Sequence, residues 1–263
     1  MYSKSVTNAH LNNGVVLSVC MATYNGASYI EQQLQSILCQ LGENDEVILV
    51  DDHSADITLE LVSRINDPRI HVYRNDKNMG VRCSFERAIS LASGEVIFLS
   101  DQDDVWHPEK VARFTQVFSM LSDVTLVLSD AKIINKDGTD IVKSFFKRRG
   151  SFVSGVIQNL VKNRYLGCVM AFRRVLVERI LPLPSTIPQH DMWIGLINEV
   201  YGKSHYIDFP LIEYRMHDTN ASLTSSNGRG SLLQMILWRY SLVKCLVVRV
   251  LFDGHKILRR KLL

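Results

Sequence analysis

The five cysteines of this 263-residue chain include no C-x-x-C pair. Cys20, Cys39, Cys83, Cys168 and Cys245 are scattered through apolar or helical settings, which argues against a disulfide frame or a zinc site and for reduced thiols in the cytosol. No uninterrupted apolar run reaches the roughly 18 residues that a spanning helix needs. The first fourteen residues, MYSKSVTNAHLNNG, are polar and lack an apolar signal core, so no export signal is expected. A formal net charge of +3 is too small to point to nucleic acid. What remains is an ordinary globular composition, 46% hydrophobic and 22% charged, long enough for one large domain or one domain with an appendage.

The charge is unevenly placed. From Ser231 to Leu263 seven Lys and Arg stand against Asp253 alone, a net +6, which leaves −3 for the preceding residues. That tail is rich in Leu, Ile, Val and Met, with Trp238, but Arg239, Lys244 and Arg249 interrupt it and share no single helical face. Basic residues among large apolar ones suit a helix lying on an anionic membrane surface. They suit equally a helical hairpin packed on the main domain or on a second subunit.

The rest is organised around Glu95 to Trp106. Val96 to Leu99 is apolar and reads as a buried strand, ending abruptly in Asp101, Asp103 and Asp104, with Pro108 opening a helix. Open α/β sheets place ligands beyond the carboxyl ends of their strands, and crowded carboxylates there suit a bound cation. The alternative is an acidic turn capping the next helix. Two similar strand ends precede it. Val15 to Ala22 reads as a first strand ending in Thr23-Tyr24-Asn25-Gly26, with a helix through Ile30, Leu34, Ile37, Leu38 and Leu41. Glu46 to Val50 reads as a second, ending in Asp51-Asp52, with Ser54 as N-cap of the next helix. Ile70 to Tyr73 is a short third strand, and Asn78-Met79-Gly80 turns into a helix through Phe85, Ala88, Ile89 and Leu91. Alternating strands and helices predict an α/β fold with a mainly parallel, Rossmann-like sheet, helices on both faces, and the three polar turns converging on one pocket.

The second half is less regular. Val124 to Leu128 reads as a strand, the segment bearing Lys143, Lys147, Arg148 and Arg149 as a mobile loop, and Tyr165 to Phe172 as a strand beneath the site. After Pro188 a helix begins at Asp191 and runs through Ile194, Leu196, Ile197 and Val200. Tyr206 to Phe209 and Leu211 to Met216 read as two short strands.

Met21-Ala-Thr-Tyr-Asn-Gly, Val50-Asp-Asp-His-Ser-Ala-Asp, Ser100-Asp-Gln-Asp-Asp-Val-Trp, His190-Asp-Met-Trp and Tyr214-Arg-Met-His, in that order, resemble a bacterial family 2 glycosyltransferase over roughly residues 15 to 220. The resemblance implies a GT-A fold, a nucleotide-sugar donor, a divalent cation (Mn or Mg) and inversion at the anomeric carbon. It implies a catalytic domain over 15–220, with a nucleotide-binding half at 15–105 and an acceptor-binding half at 106–220. A polar extension, 1–14, precedes it and a basic helical segment, 221–263, follows. Carried over by residue, Tyr24 stacks near the base, flanked by Thr23 and Asn25. Asp52 hydrogen-bonds the base with Asp51 close by, and Arg82 lies near base or diphosphate. Asp103 is the metal ligand, Asp101 lies nearer the ribose or sugar, and His217 is a histidine near metal and diphosphate. Asp191 is the catalytic base. Gly167, Cys168, His190 and Trp193 would face the acceptor; His190 is either a partner of Asp191 or a surface residue, and Trp193 either a sugar platform or core. For bacterial relatives the resemblance favours a polyprenyl-diphosphate-linked sugar acceptor at the cytoplasmic face of the inner membrane, and the tail leaves room for an oligomer.

Two rivals stand beside it. A response-regulator receiver, a non-enzymatic signalling module, shares the Asp51-Asp52 turn but would carry it after its first strand. A nucleotidyltransferase making nucleotide sugars shares the sheet, but opens with a glycine-rich basic loop that Thr23 to Gly26 lacks.

Overall fold

The computed structural model describes residues 14–187, 189–217 and 232–261. The polar extension before Gly14, Pro188, Asp218-Thr219-Asn220 and residues 221–231 lie outside the described residues.

In chain order the elements are β1 (Leu17–Thr23), α1 (Ile30–Leu38), β2 (Glu46–Asp51), α2 (Thr58–Ile65), β3 (Ile70–Arg74), α3 (Val81–Leu91), β4 (Val96–Asp101) and β5 (Val105–Trp106). There follow α4 (Lys110–Met120), β6 (Leu126–Ile134), β7 (Asp140–Val142), α5 (Phe145–Arg149), α6 (Val156–Val161), β8 (Met170–Arg173), α7 (Val177–Ile180), α8 (His190–Tyr201), β9 (Ser204–Arg215) and α9 (Leu232–Lys261). One sheet joins the strands in the order β3-β2-β1-β4-β8-β6-β9-β5, with β7 on β6. The first four pair in parallel, as continuous apolar strands linked by helices require, and β1, in the middle, is almost wholly buried. The register sets Ala22 opposite Asp101 and Thr23 opposite Asp51, so the three polar turns leave the sheet at one level.

Beyond β4 the sheet is mixed. β8 runs antiparallel to both β4 and β6, and β6 pairs in parallel with β9. The boundary expected at residue 105 falls inside β5, an edge strand that hydrogen-bonds β9, and the β4–β8 pairing joins the two halves in one sheet. The two strands expected between Tyr206 and Met216 are one strand, β9. Its register jumps from Ser129↔Ile207 to Asp130↔Pro210, a bulge beside a proline that has no N–H for the ladder.

Two local expectations are corrected. Ser54 caps no helix: α2 starts later, at Thr58, whose N–H and hydroxyl both donate to Asp56, while Ser54 turns back to Asp51. The basic segment is an ordered helix, α5, rather than a mobile loop. Buried Asp130 captures the Ser144 hydroxyl and the Phe146 N–H, Ser144 caps the Lys147 N–H, and Phe145 and Phe146 are buried. Leu41 lies just past the end of α1 but is buried as its periodicity demanded. The core is continuous across the sheet, from Leu34 and Ile37 of α1 through Phe98 to Trp193 and Ile194 of α8. Burying each such side chain contributes roughly 1.5–3 kcal/mol.

Candidate active site

The three turns are stitched together by side chains. Gln102, in the turn after β4, accepts from the Tyr24 N–H (2.8 Å) and the Thr23 hydroxyl (2.5 Å), and donates to the Tyr24 carbonyl (3.1 Å). Asn25 adopts a left-handed φ of 49°, donates its N–H to Ser54 Oγ and accepts the Ala55 N–H, locking the first turn to the second. The frame leaves the Tyr24 ring 47% exposed at the strand ends, where it is open to stacking.

After β2 the carboxylates are spent on structure. Asp51 is fully buried and accepts the Ser54 N–H and hydroxyl, with Arg74 3.6 Å away. Asp52 accepts from Asn75 Nδ2 and the Met79 N–H on one oxygen and from the Gly80 N–H on the other, each at 2.8 Å. Gly80, at φ +84°, supplies the turn that aims its N–H there and then begins α3. Arg82, the second residue of that helix, contacts Glu86 at 3.2 Å and the Leu183 carbonyl at 3.3 Å.

After β4 the carboxylates find fewer donors. Asp104 is 1% exposed; one oxygen accepts the Arg215 N–H at 2.9 Å and the other, Oδ2, has no hydrogen-bond partner among the described residues. Burial, then the charges of Asp103 and Asp101, hold its carboxyl well above the usual range. Asp101 is pushed up to about 7 by burial and by the charges of Asp103 and Asp191. Beneath them lies Lys110, fully buried at the start of α4, its ammonium donating to the Cys168 carbonyl at 2.7 Å and 4.0 Å from the Trp106 ring centroid. Burial lowers it to about 7.

Asp103 faces another way. Its Oδ2 lies 2.7 Å from His217 Nε2, both side chains almost enclosed, with the imidazole stacked on Tyr29. Arg215 explains how residues so far apart in sequence meet. At the end of β9 its N–H donates to Asp104, its Nε to the Asp103 carbonyl and its guanidinium to Gln32, with the ring of Tyr29 beneath it. His217 follows two residues later.

Asp191 sits in the first turn of α8, 6% exposed. One oxygen accepts the Met192 N–H at 2.6 Å. Burial raises its carboxyl to about 6, opposed by the N–H groups of Met192 and Gly167 and by the charge of Arg149, and it is close enough to Asp101 for their charges to interact.

The residues expected at an acceptor surface divide. Gly167 lies against Asp191 and His190: a Cβ there would meet His190 Nε2 at 3.1 Å. His190 is neither on the surface nor paired with Asp191. It is buried and stacked on Phe85 at 4.1 Å, its Nε2 has no hydrogen-bond partner among the described residues, and burial lowers it to about 3. Trp193 is core rather than platform: fully buried, its indole N–H donates to the Ile180 carbonyl at 2.9 Å. Cys168 is buried too, and burial raises its thiol.

Two donor sets could hold a cation. The ligand atoms of Asp101, Asp104 and Cys168 lie within 4.8 Å of one another. That set already has the Lys110 ammonium for countercharge and a thiol held protonated, so it fits a divalent ion poorly. Asp103 and His217 pair a carboxylate with an imidazole 2.7 Å away, and the carboxylate is the kind of hard oxygen donor that suits Mn or Mg.

Sequence reading missed Gln102, Lys110, Arg149 and Arg215. Lys110 had a signal: it occupies the core row of α4 with Phe114 and Phe118, one turn apart each time.

The model described as Glycosyl transferase family 2 matches residues 18–181. WfgD of Escherichia coli, a UDP-Glc:alpha-D-GlcNAc-diphosphoundecaprenol beta-1,3-glucosyltransferase, is 26% identical over 216 residues, 79% of each chain. TuaG of Bacillus subtilis, named for teichuronic acid biosynthesis, is 25% identical over 232 residues, 85% of this chain and 87% of its own. The structure of S. aureus TarS 1–349 with UDP-GlcNAc superposes with a TM-score of 0.67 at 19% identity, covering 89% of this chain and 66% of that one. That likeness establishes the fold, and the chain spans about two thirds of the solved one.

Proposed function

Because the chain belongs to glycosyl transferase family 2, and so is a glycosyltransferase with the GT-A fold, we propose that it is an inverting, metal-dependent hexosyl- or deoxyhexosyltransferase of bacterial surface-polysaccharide (O-antigen) assembly. The donor would be UDP-glucose, UDP-galactose or dTDP-rhamnose. The acceptor would be a hydroxyl of a lipid-diphosphate-linked sugar, such as GlcNAc-diphospho-undecaprenol, met at the cytoplasmic face of the inner membrane. The names of WfgD and TuaG support this substrate class. The family match spans both the first strand, which a receiver would not place ahead of the Asp51-Asp52 turn, and the Thr23 to Gly26 strand end, which lacks the glycine-rich basic loop of a nucleotidyltransferase.

The observation that carries the reading is Asp191 held beside the carboxylates after β4 with its own carboxyl raised to about 6. In this reading residues 15–105 hold the nucleotide and 106–220 present the acceptor. Tyr24 stacks on the base, and the Asp52-anchored turn shapes the pocket around it. Asp103 and His217, with Asp101 near the sugar, would hold the divalent ion. When bound, that ion supplies positive charge to the departing diphosphate. Asp191 takes the proton of the acceptor hydroxyl on the carboxylate oxygen left over by Met192, a contribution of about 10²–10⁴ in rate. One base on the face opposite the leaving group gives inversion.

The test is transfer from a panel of UDP-, dTDP- and GDP-sugars to a GlcNAc-diphospho-lipid analogue, with Mg²⁺ or Mn²⁺. Metal-dependent transfer from one donor, lost in Asp103→Ala and Asp191→Asn, is expected. Full activity in Asp191→Asn would remove the base from the account.

A further inference from the structure

In sequence, Arg239 and Arg249 break the apolar run of the tail. In the fold both turn inward. Arg239 donates to the Leu160 and Val161 carbonyls at the end of α6, at 2.9 and 2.8 Å. Arg249 donates to the carbonyls of Arg179, Leu181 and Pro182 around the end of α7, at 2.6 to 2.8 Å. Guanidinium groups at helix carboxyl ends satisfy orphan carbonyls and oppose the dipole. Leu242 and Leu246 are buried on the same side. The outward side of α9 is therefore an apolar stripe. Ile236, Tyr240, Val243, Val247 and Leu251 recur at spacings of three and four residues and are 41% to 68% exposed. Ile157 and Val161 of α6, the helix whose end Arg239 holds, are exposed as well.

Charge says what covers the stripe. Ile141 to Val177, which contains α5 and α6, holds eight Lys and Arg and no Asp or Glu. Subtracting this +8 and the +6 of Ser231 to Leu263 from the chain's +3 leaves −11 elsewhere. Lys143, Lys147, Arg148, Lys162 and Lys244 of these segments are exposed. The Arg239 contacts with α6, and those of Lys162 and Arg164 with the Arg149 carbonyl, make α5, α6 and α9 neighbours. A second copy of the chain docked by this face would bring basic segment against basic segment.

We propose that the outward face of α9, with α6 and the α5 region, docks on an anionic lipid bilayer surface. The apolar stripe enters the interface and the lysines and arginines meet lipid phosphates. No helix among the described residues is long and apolar enough to cross a membrane, so the contact is interfacial. This deepens the reading of a lipid-linked acceptor, but its test contains no sugar, so either can fail alone.

The test is flotation of the intact chain with vesicles of phosphatidylcholine alone or mixed with phosphatidylglycerol. The chain is expected to float with the mixed vesicles only, and less at high salt. The double variant Val243→Glu/Val247→Glu should lose about tenfold or more in binding, with thermal midpoint and transfer to a water-soluble acceptor unchanged. Replacing Lys143, Lys147 and Arg148 with Gln should lose about fivefold per charge that reaches the surface. Failure of the parent chain to float, equal flotation with phosphatidylcholine alone, or undiminished flotation of the glutamate variant would overturn the proposal. So would a dimer that the glutamates dissolve while vesicles stay unbound.

Discussion

The strand ends after β2 and β4 both carry adjacent aspartates, and they spend them differently. Asp51 and Asp52 are buried with several donors aimed at their oxygens, so their charge is balanced inside the protein. Asp101 and Asp104 are desolvated with fewer, and one Asp104 oxygen has none among the described residues. A carboxylate whose lone pairs are filled by N–H groups holds a turn in place; one left short of donors keeps its affinity for a proton or a cation. In the proposed reading the first pair would shape the nucleotide pocket, and the second region, beside Asp191 and His217, would be where charge moves.

Substitutions should separate the two. The largest effect belongs to Asp191→Asn, which should lower kcat for transfer by about 10²–10⁴ and leave thermal stability and nucleotide binding in place. Asp52→Ala reverses that pattern. Stranding the N–H groups of Met79 and Gly80 and the Asn75 amide should destabilise the fold by about 1–3 kcal/mol in denaturant titration. Ser54→Ala, which strips Asp51 of its hydroxyl donor, should cost about 1 kcal/mol by the same measurement. Asp104→Asn should change stability least, by less than about 1 kcal/mol, because an amide oxygen still accepts the Arg215 N–H and the carboxyl is held protonated. A large loss there would mean that Asp104 is ionised and paired, and would erase the contrast.

The sequence made the first region legible because each of its features is local. Apolar runs end in polar turns, helices follow, and the parallel order of β1 to β4 comes from connection rules alone. At the site, the structure brings together residues that were expected to share it: Asp103 meets His217, and Asp101 and Asp191 feel each other's charge. The site was not legible in connection. Arg215 and Gln102 act across more than seventy residues, and no periodicity reports such a bond. Trp193 shows the limit of residue-type reasoning, since an aromatic beside a catalytic carboxylate suggests a sugar platform until the fold closes over it. The tail misled for the same reason: arginines that read as interruptions are turned inward by carbonyls far away in sequence.

The most direct test of the account is the pH dependence of kcat/KM for transfer, which reports the groups of the free enzyme. A base at Asp191 would work only when deprotonated, and its carboxyl is raised to about 6, so kcat/KM should climb as pH rises through that value and level off above it. In Asp191→Asn the residual rate should show no such limb. A wild-type profile flat through that range, or the same limb persisting in the variant, would contradict the assignment of Asp191 as the base.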